Sequence, residues 1–169
     1  ILSVTQEESP AVWCSSGHDE KSLGEPGSSG LSKLKKVLEQ QNMTIRSVAL
    51  LGEQEIPAEV KLVIIAGPPR RFTESEVGLL QAYLERGGRL LALLDPLVDS
   101  GLDGLLERWG ITLALDVVVD PSQQLPFVSA ANLLVTTYTE HPIVRKMKTL
   151  VTLFPLARSV RPASPAPEG

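Results

Sequence analysis

Reactive side chains are few in this sequence, and one hexapeptide holds many of them. Ser15-Ser16-Gly17-His18-Asp19-Glu20 brings together two hydroxyls, an imidazole and two carboxylates. These are the residue types of a hydrolytic triad, although immediate neighbours in a chain seldom reach triad geometry. With Asp95, the side chains of His18, Asp19 and Glu20 also form a donor set suited to a hard cation or Zn²⁺. No i,i+4 histidine pair and no cysteine pair accompanies them. The simpler reading is that Gly17-His18 shapes a loop and the carboxylates are solvated or cap a helix. Cys14 sits in an apolar run and reads as a small core residue rather than a reactive thiol. His141 precedes Pro142, which pushes it to an extended conformation suited to capping the helix that follows. Asp95-Pro96 ends an apolar run, where aspartate commonly organises a turn through its own backbone. Its place at the edge of a strand keeps a binding role open.

Several other classes of chemistry find no support. Gly17 stands alone after the first apolar run, and neither a dinucleotide fingerprint nor a P-loop lysine follows. The turn after Leu62–Ala66 is Gly67-Pro68-Pro69, which offers no nucleophile where hydrolases and amidotransferases of α/β type place one. The net charge of −4 argues against a nucleic-acid partner, because phosphate binding needs a basic face. Lys33, Lys35 and Lys36, like Arg145, Lys146 and Lys148, read as solvated helix faces. One cysteine allows no internal disulfide and assigns no compartment. No apolar run approaches the roughly 20 residues that span a bilayer. The chain begins at Ile1 rather than Met and reads as a cut-out or processed piece, with any signal or anchor outside it.

The elements that must position these residues are clearest from Lys61 to Pro96. Two apolar runs, Leu62–Ala66 and Leu90–Leu94, lack polar alternation, so each is buried on both faces, as in parallel sheets covered by helices. Between them lies a helix with a capping-box start, Thr73 and Glu76, a buried stripe of Val77, Leu80 and Leu84, and an end at Gly87-Gly88. Ala11–Cys14 is a candidate first strand, and Thr44–Leu51 another. The segment Gly24–Gly30 reads as mobile, and Leu31, Leu34, Val37 and Leu38 as the apolar face of a helix ending near Asn42. Asp99 or Ser100 is a candidate cap for a helix through Trp109. Ile111–Leu115, Val117–Val119, Leu133–Tyr138 and Val151–Phe154 are strand-like, Pro121 to Pro126 is a loop, and Pro142 opens a short helix. The order predicts an open, mostly parallel α/β sheet with helices on both faces. Residues 1–10 form a lead-in, 11–160 a single domain and 161–169 a proline-rich tail.

Ligands in such folds sit beyond the carboxyl ends of the strands, here Ser15–Glu20, Gly67–Arg71 and Asp95–Asp99. Candidate ligand-binding residues are therefore Ser16, Gly17, His18, Asp19, Glu20, Pro68 and Asp95.

Val12-Trp13-Cys14-Ser15-Ser16-Gly17-His18-Asp19-Glu20 runs from a strand into a turn. Ile56-Pro57, Leu62–Pro69, Thr73–Glu76, Gly87-Gly88 and Leu90–Pro96 follow in order. Leu105-Leu106-Glu107-Arg108-Trp109-Gly110-Ile111 and Val118-Val119-Asp120 come next, then Glu140-His141-Pro142-Ile143 and Phe154-Pro155-Leu156-Ala157-Arg158-Ser159. In that order they resemble the auxiliary, substrate-binding-like components of ABC transport systems related to gliding motility, over roughly Val12 to Val160. Asp19 departs from the Gly that the family tends to place in its Gly-His-Gly-Glu-like turn, so a role needing bare backbone there is in question. The resemblance implies a domain at the extracytoplasmic (periplasmic) face of a bacterial cytoplasmic membrane, tethered by transmembrane segments and associated with an ABC permease and ATPase. It also implies a flavodoxin-like or glutamine-amidotransferase-like fold without the catalytic cysteine. The expected function is non-enzymatic recognition within a transport complex, with no cofactor and no metal. Two alternatives stay open: a domain binding a carbohydrate or other small polar ligand, and a hydrolase that is metal-dependent or uses His18 with a carboxylate.

Overall fold

The buried run around Leu62–Ala66 becomes β3 (Val60–Ala66), whose residues Val63 to Ala66 are at most 1% exposed. In this computed structural model, which describes residues 9–121 and 129–164, β3 is an inner strand of a four-stranded parallel sheet. Its partners are β1 (Ala11–Ser16), β2 (Thr44–Ala49) and β4 (Leu90–Leu93), in the order β2-β1-β3-β4. The predicted α/β class is the one observed.

Two helices connect these strands. The helix α1 (Ser32–Gln40) joins β1 to β2, and α2 (Glu74–Glu85) joins β3 to β4. The two crossovers run in opposite directions along the sheet. Right-handed connections in opposite directions place their helices on opposite faces. On one face Val12, Cys14, Ile45, Ile64 and Ala66 form a buried cluster with Leu34 and Leu38 of α1 packed against it. Strand side chains alternate between faces, so Trp13, Ser15, Val63 and Ile65 occupy the other, and all four are buried. In register, Leu91 of β4 pairs with Ile64 and Leu93 with Ala66, on the face of the α1 cluster. Leu91 and Leu93 are nevertheless 39% and 46% exposed.

The start of α2 follows its sequence signal. Thr73 Oγ1 accepts the Glu76 N–H at 3.4 Å, and Glu76 Oε2 accepts the Thr73 N–H at 2.9 Å. Its end does too: Gly87 takes φ +84°, and its N–H closes on the Leu84 carbonyl at 2.9 Å. Gly88 is required by a close approach, because a Cβ there would lie 2.5 Å from the Tyr83 ring.

Some expectations are narrowed or corrected. The segment Gly24–Gly30 is largely exposed and without regular structure, and its flanks are fixed: Leu23 is buried, and the Leu31 and Ser32 N–H groups donate to the Ser22 and Glu25 carbonyls at 2.9 and 3.3 Å. Neither Asp99 nor Ser100 caps a helix. The short helix α3 (Asp103–Arg108) starts after Leu102, without a side-chain cap. Asp99 instead closes a turn, its Oδ1 accepting the Gly101 N–H at 2.9 Å. The apolar side chain of Leu102, fully buried, sets where this helix begins.

Where one domain over 11–160 is expected, the contacts divide the chain into two compact units. The first holds the parallel sheet, comprising the described residues to Leu94 together with Val98–Trp109. The second holds Asp95–Leu97 and the described residues from Gly110 onward. It contains two antiparallel ribbons: β5 (Ile111–Leu113) with a strand at Val160–Pro162, β8, and β6 (Asn132–Val135) with β7 (Thr152–Pro155). Arg161 and Pro162, expected in the tail, are thus paired. Proline is tolerated there because the ribbon leaves β8 an open edge. The closing residues Arg158 and Ser159 tie this unit together. Arg158 Nε donates to the Ala114 carbonyl at 3.0 Å, and Ser159 N and Oγ donate to Asp116 at 2.8 and 2.7 Å. The two Ser159 bonds, backbone first, hold the exposed Asp116 carboxyl below the usual carboxylate range. His141 accepts the Ile143 N–H on Nδ1 at 3.3 Å, which closes a local turn rather than capping a helix: the 3₁₀ turn at Arg145–Met147 starts after Val144 without a side-chain cap. Most of the predicted loop Pro121 to Pro126 lies outside the described residues.

Candidate functional site

The sheet order reverses direction between β1 and β3, the point where open α/β sheets leave a crevice at their carboxyl ends. The turn after β1 carries His18 into that position. Gly17 takes φ +115°, which a side chain would oppose, and Asp19 takes φ +60°. Asp19 therefore keeps the left-handed backbone that glycine would give, and aspartate is among the residues that tolerate it. Its carboxylate turns outward to Arg70 Nη2 at 2.6 Å.

His18 itself is buried and held on three sides. Nε2 lies 3.2 Å from Glu76 Oε2, and Nδ1 lies 3.7 Å from Glu20 Oε1. The ring stacks on Phe72, with centroids 4.2 Å apart and planes 26° from parallel. Both carboxylate side chains are 1% exposed. Glu20 Oε2 also accepts the His18 N–H at 2.8 Å, closing the turn on itself. Glu76 Oε2 takes its remaining hydrogen bonds from Thr73, so a single oxygen links the α2 cap to the β1 turn. Phe72 is fixed by its N–H to the Ser100 carbonyl at 2.9 Å, and the neighbouring Arg71 forms an ion pair with Asp99.

Charge around this site suppresses one nucleophile. Burial, and then the negative charge of Glu20, push the Cys14 thiol up to about 11. At neutral pH it is protonated, and only the thiolate attacks.

The residues singled out by sequence meet only in part. Ser16, Gly17, His18, Asp19 and Glu20 form one turn, and Pro68 is buried in the turn after β3 within the same unit. Asp95 belongs to the second unit, where its carbonyl accepts Arg158 Nη1 at 3.4 Å. Among the described residues, no group of three or more His, Cys, Asp or Glu side chains is placed to hold a metal ion. Two contributors escaped the sequence reading. Glu76 was legible as a capping residue but not as the partner of His18. Phe72 stands at the position before the cap, where an apolar residue commonly packs, and that is the signal that finds it. Five buried side-chain atoms in and beside this cluster have no partner: Ser15 Oγ, His18 Nδ1, Glu20 Oε1, Glu76 Oε1 and Ser100 Oγ.

A parallel α/β domain with a sealed histidine at its switch point defines the class. The family follows from comparison. A family model described as "ABC-type uncharacterized transport system" matches residues 9–157, and the chain belongs to that family of ABC transport auxiliary proteins. Part of the chain is similar to the intraflagellar transport protein 52 homologs of Mus musculus and Homo sapiens, at 37% and 35% identity over 98 residues. Those matches cover 53% of this chain but only 22% and 21% of the relatives, about a fifth of their length. Among solved structures, the mmIFT52 N-terminal domain is similar with a TM-score of 0.70 and 25% identity, over 91% of this chain and 69% of that one.

Proposed function

We propose that this domain is a non-catalytic recognition element of an ABC-type transport system, acting through the carboxyl-end edge of its first unit. The observation that carries this reading is the state of His18. Both of its ring nitrogens face buried carboxylates, one ring face stacks on Phe72, and the side chain is only 11% exposed, which leaves little of it toward a substrate. A general base must reach the proton it removes. Around this core, the exposed pairs Asp19–Arg70 and Arg71–Asp99 present charge of both signs for a protein partner. The likeness to proteins named for intraflagellar transport favours an assembly role over a dedicated chemistry. On this reading the domain is tethered at the extracytoplasmic face of the membrane and contacts the permease, through which it associates with the ATPase. Co-purification of that protein from its membrane tests the reading: transporter subunits should accompany it, and their absence overturns it.

A further inference from the structure

At the opposite end of the parallel sheet, the amino ends of β3 and β4 enclose a pocket of about 360 Å³. This lies within the first unit and is independent of the His18 turn. Its volume is in the lower range of small-molecule sites, roughly 300–1,000 Å³. The apolar wall is fixed: Ile56 is 0%, Val60 3% and Tyr83 4% exposed. The Tyr83 hydroxyl donates to the Val60 carbonyl at 3.1 Å, so the ring cannot swing into the space.

The rest of the lining is cationic. Lys61, Arg86 and Arg89 all border the pocket, in a chain whose net charge is −4. Two are already oriented. Lys61 Nζ donates to the Ala58 carbonyl at 2.8 Å, and Arg86 Nη2 to the Ile56 carbonyl at 3.0 Å. Each keeps further N–H groups to donate. Glu55, 3.9 Å from Arg86, is the acidic group that opposes them most directly, and it is 72% exposed. The carboxyl end of α2 adds partial negative charge here. Arg89 has no side-chain hydrogen bond or ion pair among the described residues. A guanidinium without a partner beside an apolar wall is matched by a planar carboxylate or a phosphate.

We propose that this pocket binds a small organic anion, its carboxylate or phosphate held by Arg89 with Lys61 and Arg86, and its apolar body against Tyr83 and Val60. Titration of the ¹⁵N-labelled protein with phenylacetate and with phenyl phosphate, followed by amide shifts, tests it. Benzyl alcohol serves as the uncharged control, and Arg89→Gln and Lys36→Gln as variants. The expected result is saturable shifts at Lys61, Gly87, Gly88 and Arg89 for one or both anions. Affinity should fall about tenfold or more in Arg89→Gln and with benzyl alcohol, and stay unchanged in Lys36→Gln. A response to both anions defines the site by charge, and a response to one defines the head group. Non-saturating shifts, equal affinity for benzyl alcohol, or an unaltered Arg89→Gln would overturn the proposal. Arg89 is exposed, so its replacement leaves the fold intact for the measurement.

Discussion

The His18 side chain meets one carboxylate from its own turn and one from α2, and removing it leaves Glu20 the backbone N–H of residue 18 and Glu76 its Thr73 donors, but empties the space between them. Losing a buried ring and its polar contacts should destabilise the domain in His18→Ala by about 2–4 kcal/mol. The urea midpoint reads this, and a change under about 1 kcal/mol would mean the cluster is not the clasp described. Cys14 gives a pH signature of its own. Its ordinary value of 9.0 is raised to about 11 in the fold, so the folded state prefers the neutral thiol. Its contribution is therefore complete below pH 9 and is lost as pH rises from 9 toward 11, because the unfolded chain ionises first. Stability curves of wild type and Cys14→Ala should run parallel below pH 9, and wild type should lose stability relative to the variant between pH 9 and 11; curves parallel through that interval would remove this assignment. That Cys14 is a core residue was legible in the sequence, since its neighbours are apolar. The Glu20 charge beside it was not, because it depends on how Gly17 turns the chain back.

Helix α2 shows which structural signals are local and which are not. Its capping box depends on residues three apart, and the sequence displays both members. Thr73→Ala should cost about 1 kcal/mol, and it also frees Glu76 Oε2 from a hydroxyl donor. The far end of the helix carries a local glycine signal as well, at Gly87, and a packing requirement at Gly88 that is not local. Gly88→Ala would bring a methyl to 2.5 Å from a Tyr83 ring that cannot move aside. Overpacking of this kind costs about 1–3 kcal/mol, and thermal unfolding should show it. Sequence periodicity found α2 and the strands beside it because a strand buried on both faces has a nearly continuous apolar run. It found the end of α3, at Trp109, but not its start, which falls after the buried Leu102 rather than at Asp99 or Ser100. It likewise overextended β5, a strand of three residues whose partner lies some fifty positions away.

At the level of the whole molecule, the reversal of strand order is what brings the β1 turn to the edge where α/β sheets place ligands. The first unit was readable from pattern, since its strands are parallel and β1, β3 and β4 are apolar runs, while β2 was found by its β-branched residues. The second was less so, because its ribbons are short and leave Leu153, Phe154 and Val160 about half exposed or more. Strand β1 is hydrogen-bonded on both sides, to β2 and β3, so deleting Ala11–Ser16 should abolish the cooperative urea transition of the domain. The same central position has a consequence for the ribosome. The first strand to be made is the one that must wait, because β2, β3 and finally β4 are synthesised after it. At 5–20 residues per second, the interval from Ala11 to Ala66, the end of its second partner strand, is roughly 3 to 11 seconds. For that time Val12, Trp13 and Cys14 wait for a complete set of partners, which makes the nascent chain, more than the finished domain, the natural client of a chaperone.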